Sequence, residues 1–157
     1  MTEVLRPGVL AGVRMAVVGA GDAVAARARA LGADVAPEGE IDVLVWDGAA
    51  FSGRAALDAA WEVIQPAVAG GLAGGGLIVL VAPPPGDAHA EAARAGLENM
   101  ARTLSIEWAR LGIRPVAVLP GAADDVAELV AFLASPAGAY YSGCVFDLSA
   151  GNVNPGI

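Results

Sequence analysis

The chain has 157 residues, 56% of them hydrophobic, which is enough apolar side chain for one compact domain with its own core and leaves no segment that reads as a separate module. Its nine basic residues are all arginine and face seventeen acidic ones, with no stretch gathering them into a basic stripe, so a nucleic-acid partner is not expected. The single cysteine, Cys144, excludes an intramolecular disulfide and a cysteine zinc cluster, and every apolar run is broken before the roughly 18 residues that a membrane span needs. Met1 to Arg14 lacks the ordered regions of a secretory signal, so the expected compartment is the cytoplasm.

Met15 to Val18 is a short apolar run ending in Gly19-Ala20-Gly21, after which Asp22 opens an alanine-rich stretch to Leu31 and Gly32. The pattern predicts a strand, a tight turn, a helix capped by Asp22 and a glycine stop. Ala33 to Ala36 reads as a weak second strand before the turn-forming Pro37-Glu38-Gly39-Glu40, and Ile41 to Trp46 as a buried one. Leu57, Trp61, Ile64 and Val68 recur at helical spacing within 54–69, and the glycines of 70–76 read as a flexible connector. Leu77 to Val81 is the next strand, stopped by Pro83-Pro84-Pro85-Gly86. Asp87 is placed to cap the longest helix, over 87–111, with Gly112 as its stop. Ile113 to Leu119 forms a further strand, in which Pro115 belongs at a start, an edge or a bulge because it has no N–H for the ladder. Asp124 to Ala134 reads as a helix and Gly143 to Leu148 as the last strand. This alternation predicts an open, doubly wound α/β sandwich in one domain, 1–157: a mostly parallel sheet of about six strands with helices on both faces, Rossmann-like or flavodoxin-like.

Three segments together resemble the short-chain dehydrogenase/reductase family. Ile41-Asp42-Val43-Leu44-Val45-Trp46-Asp47-Gly48-Ala49 is similar to that family's strand ending in Asn-Asn-Ala-Gly, and Gly112 to Gly121 to its Gly-Ile-Arg-Val-Asn-x-Val-x-Pro-Gly segment. Phe132-Leu133-Ala134-Ser135, then Ser142-Gly143 and the strand to Gly151, resembles its C-terminal helix and last strand, and Arg94 through Glu107 the helix after its catalytic lysine. Active members use a tyrosine as acid, a lysine four residues later that lowers its pKa and binds the cofactor ribose, and a serine that orients the substrate carbonyl. On that motif Ala90 falls at the tyrosine, Arg94 at the lysine, and Val81-Ala82-Pro83 on the family's Ile-Ser-Ser. Alanine has no hydroxyl and arginine keeps its proton at any working pH, so the resemblance implies a site stripped of all three groups. In the family's Thr-Gly-x-x-x-Gly-x-Gly cofactor loop, Gly19 matches, Ala23 and Ala25 replace the later glycines, and Asp22 stands where phosphate charge would come. The glycines are therefore expected to serve the turn, and NAD(P) binding is not expected.

The shortened stretch between Leu31 and Arg54 is similar to the noncatalytic, flavodoxin-like N-terminal domain of high-molecular-weight 3-oxoacyl-acyl-carrier-protein reductases, down to Asp47-Gly48 after Val43-Leu44-Val45. There a reductase domain follows, whereas here the sequence ends at Ile157, which implies a reductase supplied as a separate chain.

The other chemistry-bearing residues have structural readings. His89 is expected as a solvated residue one turn into a helix, and Asp124, Asp125 and Glu128 as helix-start carboxylates favoured by the dipole rather than metal ligands. Tyr140 and Tyr141 are expected to pack or to line a rim. Asp47 ends a strand where open α/β sheets place ligands, but stands alone. The helix over 87–111 carries one apolar face, Ala93, Leu97, Met100, Leu104 and Trp108, and a second face of small residues that includes Ala88, Ala92, Ala95, Gly96 and Asn99. A helix with two such faces is buried on both, one against the sheet and one against a partner. The reading is a catalytically inactive protein of this family, with no catalytic, cofactor or metal residue to assign. It would act as an assembly or regulatory subunit, as a homodimer or beside a complete reductase, through the helices 87–111 and 54–69. The alternatives are a minimal NAD(P)-dependent oxidoreductase acting on a ketone or 3-oxoacyl thioester, and a small-ligand or acyl-group binding module in the crevice above Gly19, Asp47 and Ala82.

Overall fold

The computed structural model describes residues 4–36, 38–51, 53–86, 88–121 and 123–149, with the side chains of Ala123 and Asp124 excepted. Six strands, β1 (Arg14–Gly19), β2 (Asp34–Val35), β3 (Ile41–Asp47), β4 (Leu72–Val81), β5 (Arg114–Leu119) and β6 (Val145–Asp147), form one sheet in the order β2-β1-β3-β4-β5-β6, every pair parallel. Four helices cover it: α1 (Asp22–Ala30), α2 (Ala56–Gly70), α3 (Ala90–Glu107) and α4 (Ala123–Ala134). This is the expected doubly wound α/β sandwich, in the flavodoxin-like strand order with a sixth strand added.

The central strands are continuous apolar runs because both faces are covered. Met15, Val43, Val45, Leu77, Val79, Val116 and Val118 pack toward α1 and α4, while Leu44, Trp46, Ile78, Leu80 and Ala117 pack toward α2 and α3. The pleat sends alternate residues to opposite faces, and each fully buried Val or Leu contributes on the order of 1.5–3 kcal/mol. Pro115 is the second residue of β5, and its carbonyl accepts from Gly143 N–H at 2.7 Å, so the proline sits at the strand start.

Three local expectations are corrected. The glycine-rich stretch 70–76 is no free connector: α2 runs to Gly70, and Leu72 already pairs with Ile41 before a bulge that restores register at Val43 and Leu77. Gly75, at φ +83°, makes that excursion possible, and Ile41 N–H anchors it on the Gly71 carbonyl at 2.7 Å. The long helix is α-helical only from Ala90 to Glu107 and is prolonged by a 3₁₀ turn, Ala109–Leu111, before left-handed Gly112 stops it. His89 is its N-cap residue rather than one turn inside, and Asp87 lies outside the described residues.

Among the described residues no helix joins β2 to β3. Two residue pairs, Arg14 with Asp34 and Met15 with Val35, hold β2 to β1, and the chain reaches the other side of β1 over 36–40, far shorter than an ordinary parallel crossover. Ala36 turns the chain with φ 63°, its N–H bonded to the Met15 carbonyl at 2.8 Å. Arg14 Nε and Nη2 then grip Asp42 Oδ2 and Oδ1 at 3.1 and 2.9 Å, which ties the starts of β1 and β3 together and holds the Asp42 carboxyl below the usual carboxylate range.

On the opposite face, Arg27 of α1 forks onto Glu128 of α4 at 2.7 and 3.3 Å. Glu128 therefore serves as an inter-helix clasp, not the helix-start charge expected for it. Its pKa is lowered by Arg27 first and also by the N–H groups of Val4 and Leu5, which ties the N-terminal segment into the same knot. Arg27→Met should lower the urea midpoint without changing the m-value, a loss of about 1.5–3 kcal/mol for a charge-assisted pair. Because the folded pKa of Glu128 is depressed, its contribution is present above the unfolded carboxylate pKa and lost as pH falls through the folded one. The gap between wild type and variant should therefore close in acid, as denaturation at a series of pH values will measure.

Candidate functional site

β1 and β3 are the neighbours at which strand order reverses, with β2 to one side and the later strands to the other, and open α/β sheets place ligands at the carboxyl ends of such strands. The two ends are pressed together there. Gly19 has φ +98°, and a Cβ on it would stand 2.1 Å from the Asp47 carbonyl oxygen, so only glycine closes this turn. A Cβ on Gly21 would meet Val17 Cγ1 at 2.3 Å. Both glycines are thus demanded by packing within the chain.

Above the turn lies a crevice of about 180 Å³. One wall is Ala20, Gly21, Ala23 and Val24 at the start of α1; Asp47 and Ala49 form the floor, and Val81, Pro84, Pro120 and Val126 close it from the far strands and α4. Gly19 and Ala82 do not line it, and Ala82 is wholly buried toward α2 and α3. Asp22 neither caps α1 nor faces the crevice: the N-cap is Gly21, without a side-chain hydrogen bond, and Asp22 is exposed. In the first helical position a side chain points away from the cap, which sequence alone does not reveal. The carboxylate that meets the crevice is Asp47.

Asp47 is 7% exposed. Its Oδ1 accepts the Ala49 N–H at 2.9 Å, which starts the 3₁₀ turn Gly48–Ala50, while Oδ2 takes no hydrogen bond among the described residues and stands 3.8 Å from where a Gly21 Cβ would be. Burial raises its pKa, opposed by the Ala49 hydrogen bond. Ionising this group costs the folded state free energy, so stability falls as pH rises from the unfolded pKa through the raised folded one. Asp47→Asn keeps an acceptor for Ala49 and removes the charge. Its melting temperature should equal or exceed that of the wild type at neutral pH, with the difference vanishing in acid; a scanning calorimeter run at both ends of that range measures it.

The positions of the resembled catalytic groups do come together. Arg94, 5% exposed, donates from Nη1 to the Pro83 carbonyl at 3.0 Å and from Nη2 to Ser149 Oγ at 3.1 Å, and that hydroxyl leans on Asp147. The guanidinium therefore links α3, the end of β4 and the turn after β6. Ala90 is fully buried beneath the loop leading to α2, where a Cβ on Gly53 would already press within 2.6–2.7 Å of the His89 and Ala90 backbone.

Elsewhere Tyr140 is 93% exposed and Tyr141 packs against Phe132 and Phe146, the rim and packing roles expected. Among the described residues no three His, Cys, Asp or Glu side chains converge where a metal ion could sit, and no helix is long and apolar enough to cross a membrane. Gly96 has a different task from the one its sequence suggested: a Cβ there would strike Leu57 Cδ1 at 2.7 Å, so its smallness serves α2 of the same chain.

No family model matches this chain, and no curated protein matches it. Solved structures do. BdcA from E. coli is 19% identical over 90% of this chain and 100% of its own, with a TM-score of 0.78. A short-chain dehydrogenase from Burkholderia cenocepacia J2315 in complex with NADP is 21% identical over 88% and 96%, with a TM-score of 0.76. The promiscuous reductase LugOII, which catalyses keto-reduction at C1 during lugdunomycin biosynthesis, is 19% identical over 92% and 98%, with a TM-score of 0.75. BdcA has also been solved with NADPH, at 17% identity and a TM-score of 0.69. The chain has the fold of these short-chain dehydrogenases and reductases.

Proposed function

We propose that this chain is a catalytically inactive protein of short-chain dehydrogenase/reductase descent that works as an assembly or regulatory subunit. The observation that carries the reading is the state of the three catalytic positions: Ala82 and Pro83 offer no hydroxyl, Ala90 is buried and offers none either, and Arg94 is committed to Pro83 and Ser149. A buried guanidinium held by two acceptors neither releases a proton nor turns toward a ribose. The competing reading, a minimal NAD(P)-dependent oxidoreductase, draws on the NADP and NADPH held by two of the similar structures. Incubation with NADH or NADPH and an acetoacetyl thioester should show no oxidation above a control without protein, and calorimetry should show no cofactor binding in the low micromolar range, about −8 kcal/mol. Turnover that a crevice substitution abolishes would establish the enzyme instead.

The partner surface belongs to α2 and α3. They touch each other through Leu57 on Gly96 and through Trp61 stacked on Trp108, ring centroids 6.4 Å apart, and their outward side still carries Ala92, Asn99 and Ile106, the last 78% exposed. Gly96 is a poor place to probe this face because bulk there strikes Leu57. Ala92→Arg leaves that contact intact and places a charge on the outer stripe. Sedimentation of the wild type, alone and mixed with a complete short-chain reductase of the same organism, should reveal association that Ala92→Arg abolishes while circular dichroism stays unchanged. An interface of roughly 1,600 Å² would not tolerate a buried unpaired arginine. A wild type monomeric in both settings would rule the surface out.

A further inference from the structure

The crevice above β1 and β3 combines three features that together describe a ligand. Its walls are alanine, valine, proline and glycine. Its floor holds Asp47, more than nine-tenths buried, with Oδ2 left open to the cavity. Beside it α1 begins without a side-chain cap, so the N–H groups of Ala23 and Val24, residues that line the same space, have no acceptor among the described residues. Residues that carry an acceptor and a pair of donors therefore border the same apolar cleft. A hydrocarbon would leave both dry and unpaired. An anion meets the Asp47 carboxylate, and a cation meets the positive end of α1. The group that satisfies both at once is neutral and carries a donor next to an acceptor.

We propose that this crevice binds a small neutral molecule bearing a carboxamide or lactam on an apolar body, its N–H donating to Asp47 Oδ2 and its carbonyl accepting from the N–H groups that open α1. At about 180 Å³ the crevice suits a single substituted ring. It is small beside the ~300–1,000 Å³ of sites that enclose drug-sized ligands. The inference stands apart from the subunit role: either can fail while the other holds.

Titration of the full-length ¹⁵N-labelled protein with benzamide, benzoate and benzylamine tests it at neutral pH. Benzamide should move the amide signals of Gly21, Ala23, Val24 and Ala49 saturably and bind more tightly than either charged probe. Asp47→Leu removes the acceptor and should weaken benzamide by about tenfold, the scale of a lost hydrogen bond to a charged group. Since that change also removes the Ala49 hydrogen bond, Ala23→Leu provides a second arm: it narrows the wall, leaves Asp47 in place, and should weaken benzamide as much without changing the melting temperature. Absence of saturable shifts at these amides, benzoate or benzylamine binding as well as benzamide, or unaltered affinity in folded Ala23→Leu would each overturn the proposal.

Discussion

At the end of β1 the backbone of Gly19 runs so near the Asp47 carbonyl that a side chain has no place between them, and Gly21 is held as closely against Val17. That contact fixes how far apart β1 and β3 can lie at the mouth of the sheet. It turns the chain into α1, and it brings the Asp47 carboxyl close to Gly21, the residue that caps that helix. The crevice is the space left over once this join is made, and its chemistry follows from which groups the join leaves without partners.

The same economy governs Arg94. Arg94 spans 55 residues of sequence to reach Ser149 and holds the end of β4 through Pro83. A planar fork suits that work better than an ammonium does, because it satisfies several acceptors in fixed directions.

Much of this could be read from the chain. The strands around Val43–Trp46 and Leu77–Val81 announce themselves because parallel strands buried on both faces become uninterrupted apolar runs, and Gly112 marks the end of its helix as a left-handed glycine should. That positions 82, 90 and 94 carry alanine, alanine and arginine is equally plain. What stayed hidden depended on direction or on distance. Nothing in the order of residues says that Asp22 faces water while Asp47 faces the crevice, that Leu57 fills the hollow at Gly96, or that Glu128 belongs to an arginine 101 residues away. Nor does a glycine-rich run distinguish a slack connector from a bulge whose two ends are already paired.

The absence of lysine acquires a meaning in this light. The joins that fasten the edges of the molecule, Arg14 to Asp42, Arg27 to Glu128, Arg94 to Pro83 and Ser149, and Arg114 to the Gly138 carbonyl, all have guanidinium groups as their cations. A guanidinium does not surrender its proton in any medium a protein survives. Those with carboxylate partners, Arg14 to Asp42 and Arg27 to Glu128, are vulnerable in acid, where the carboxylate takes up a proton. Titration of its cross-braces therefore works on this fold in one direction alone.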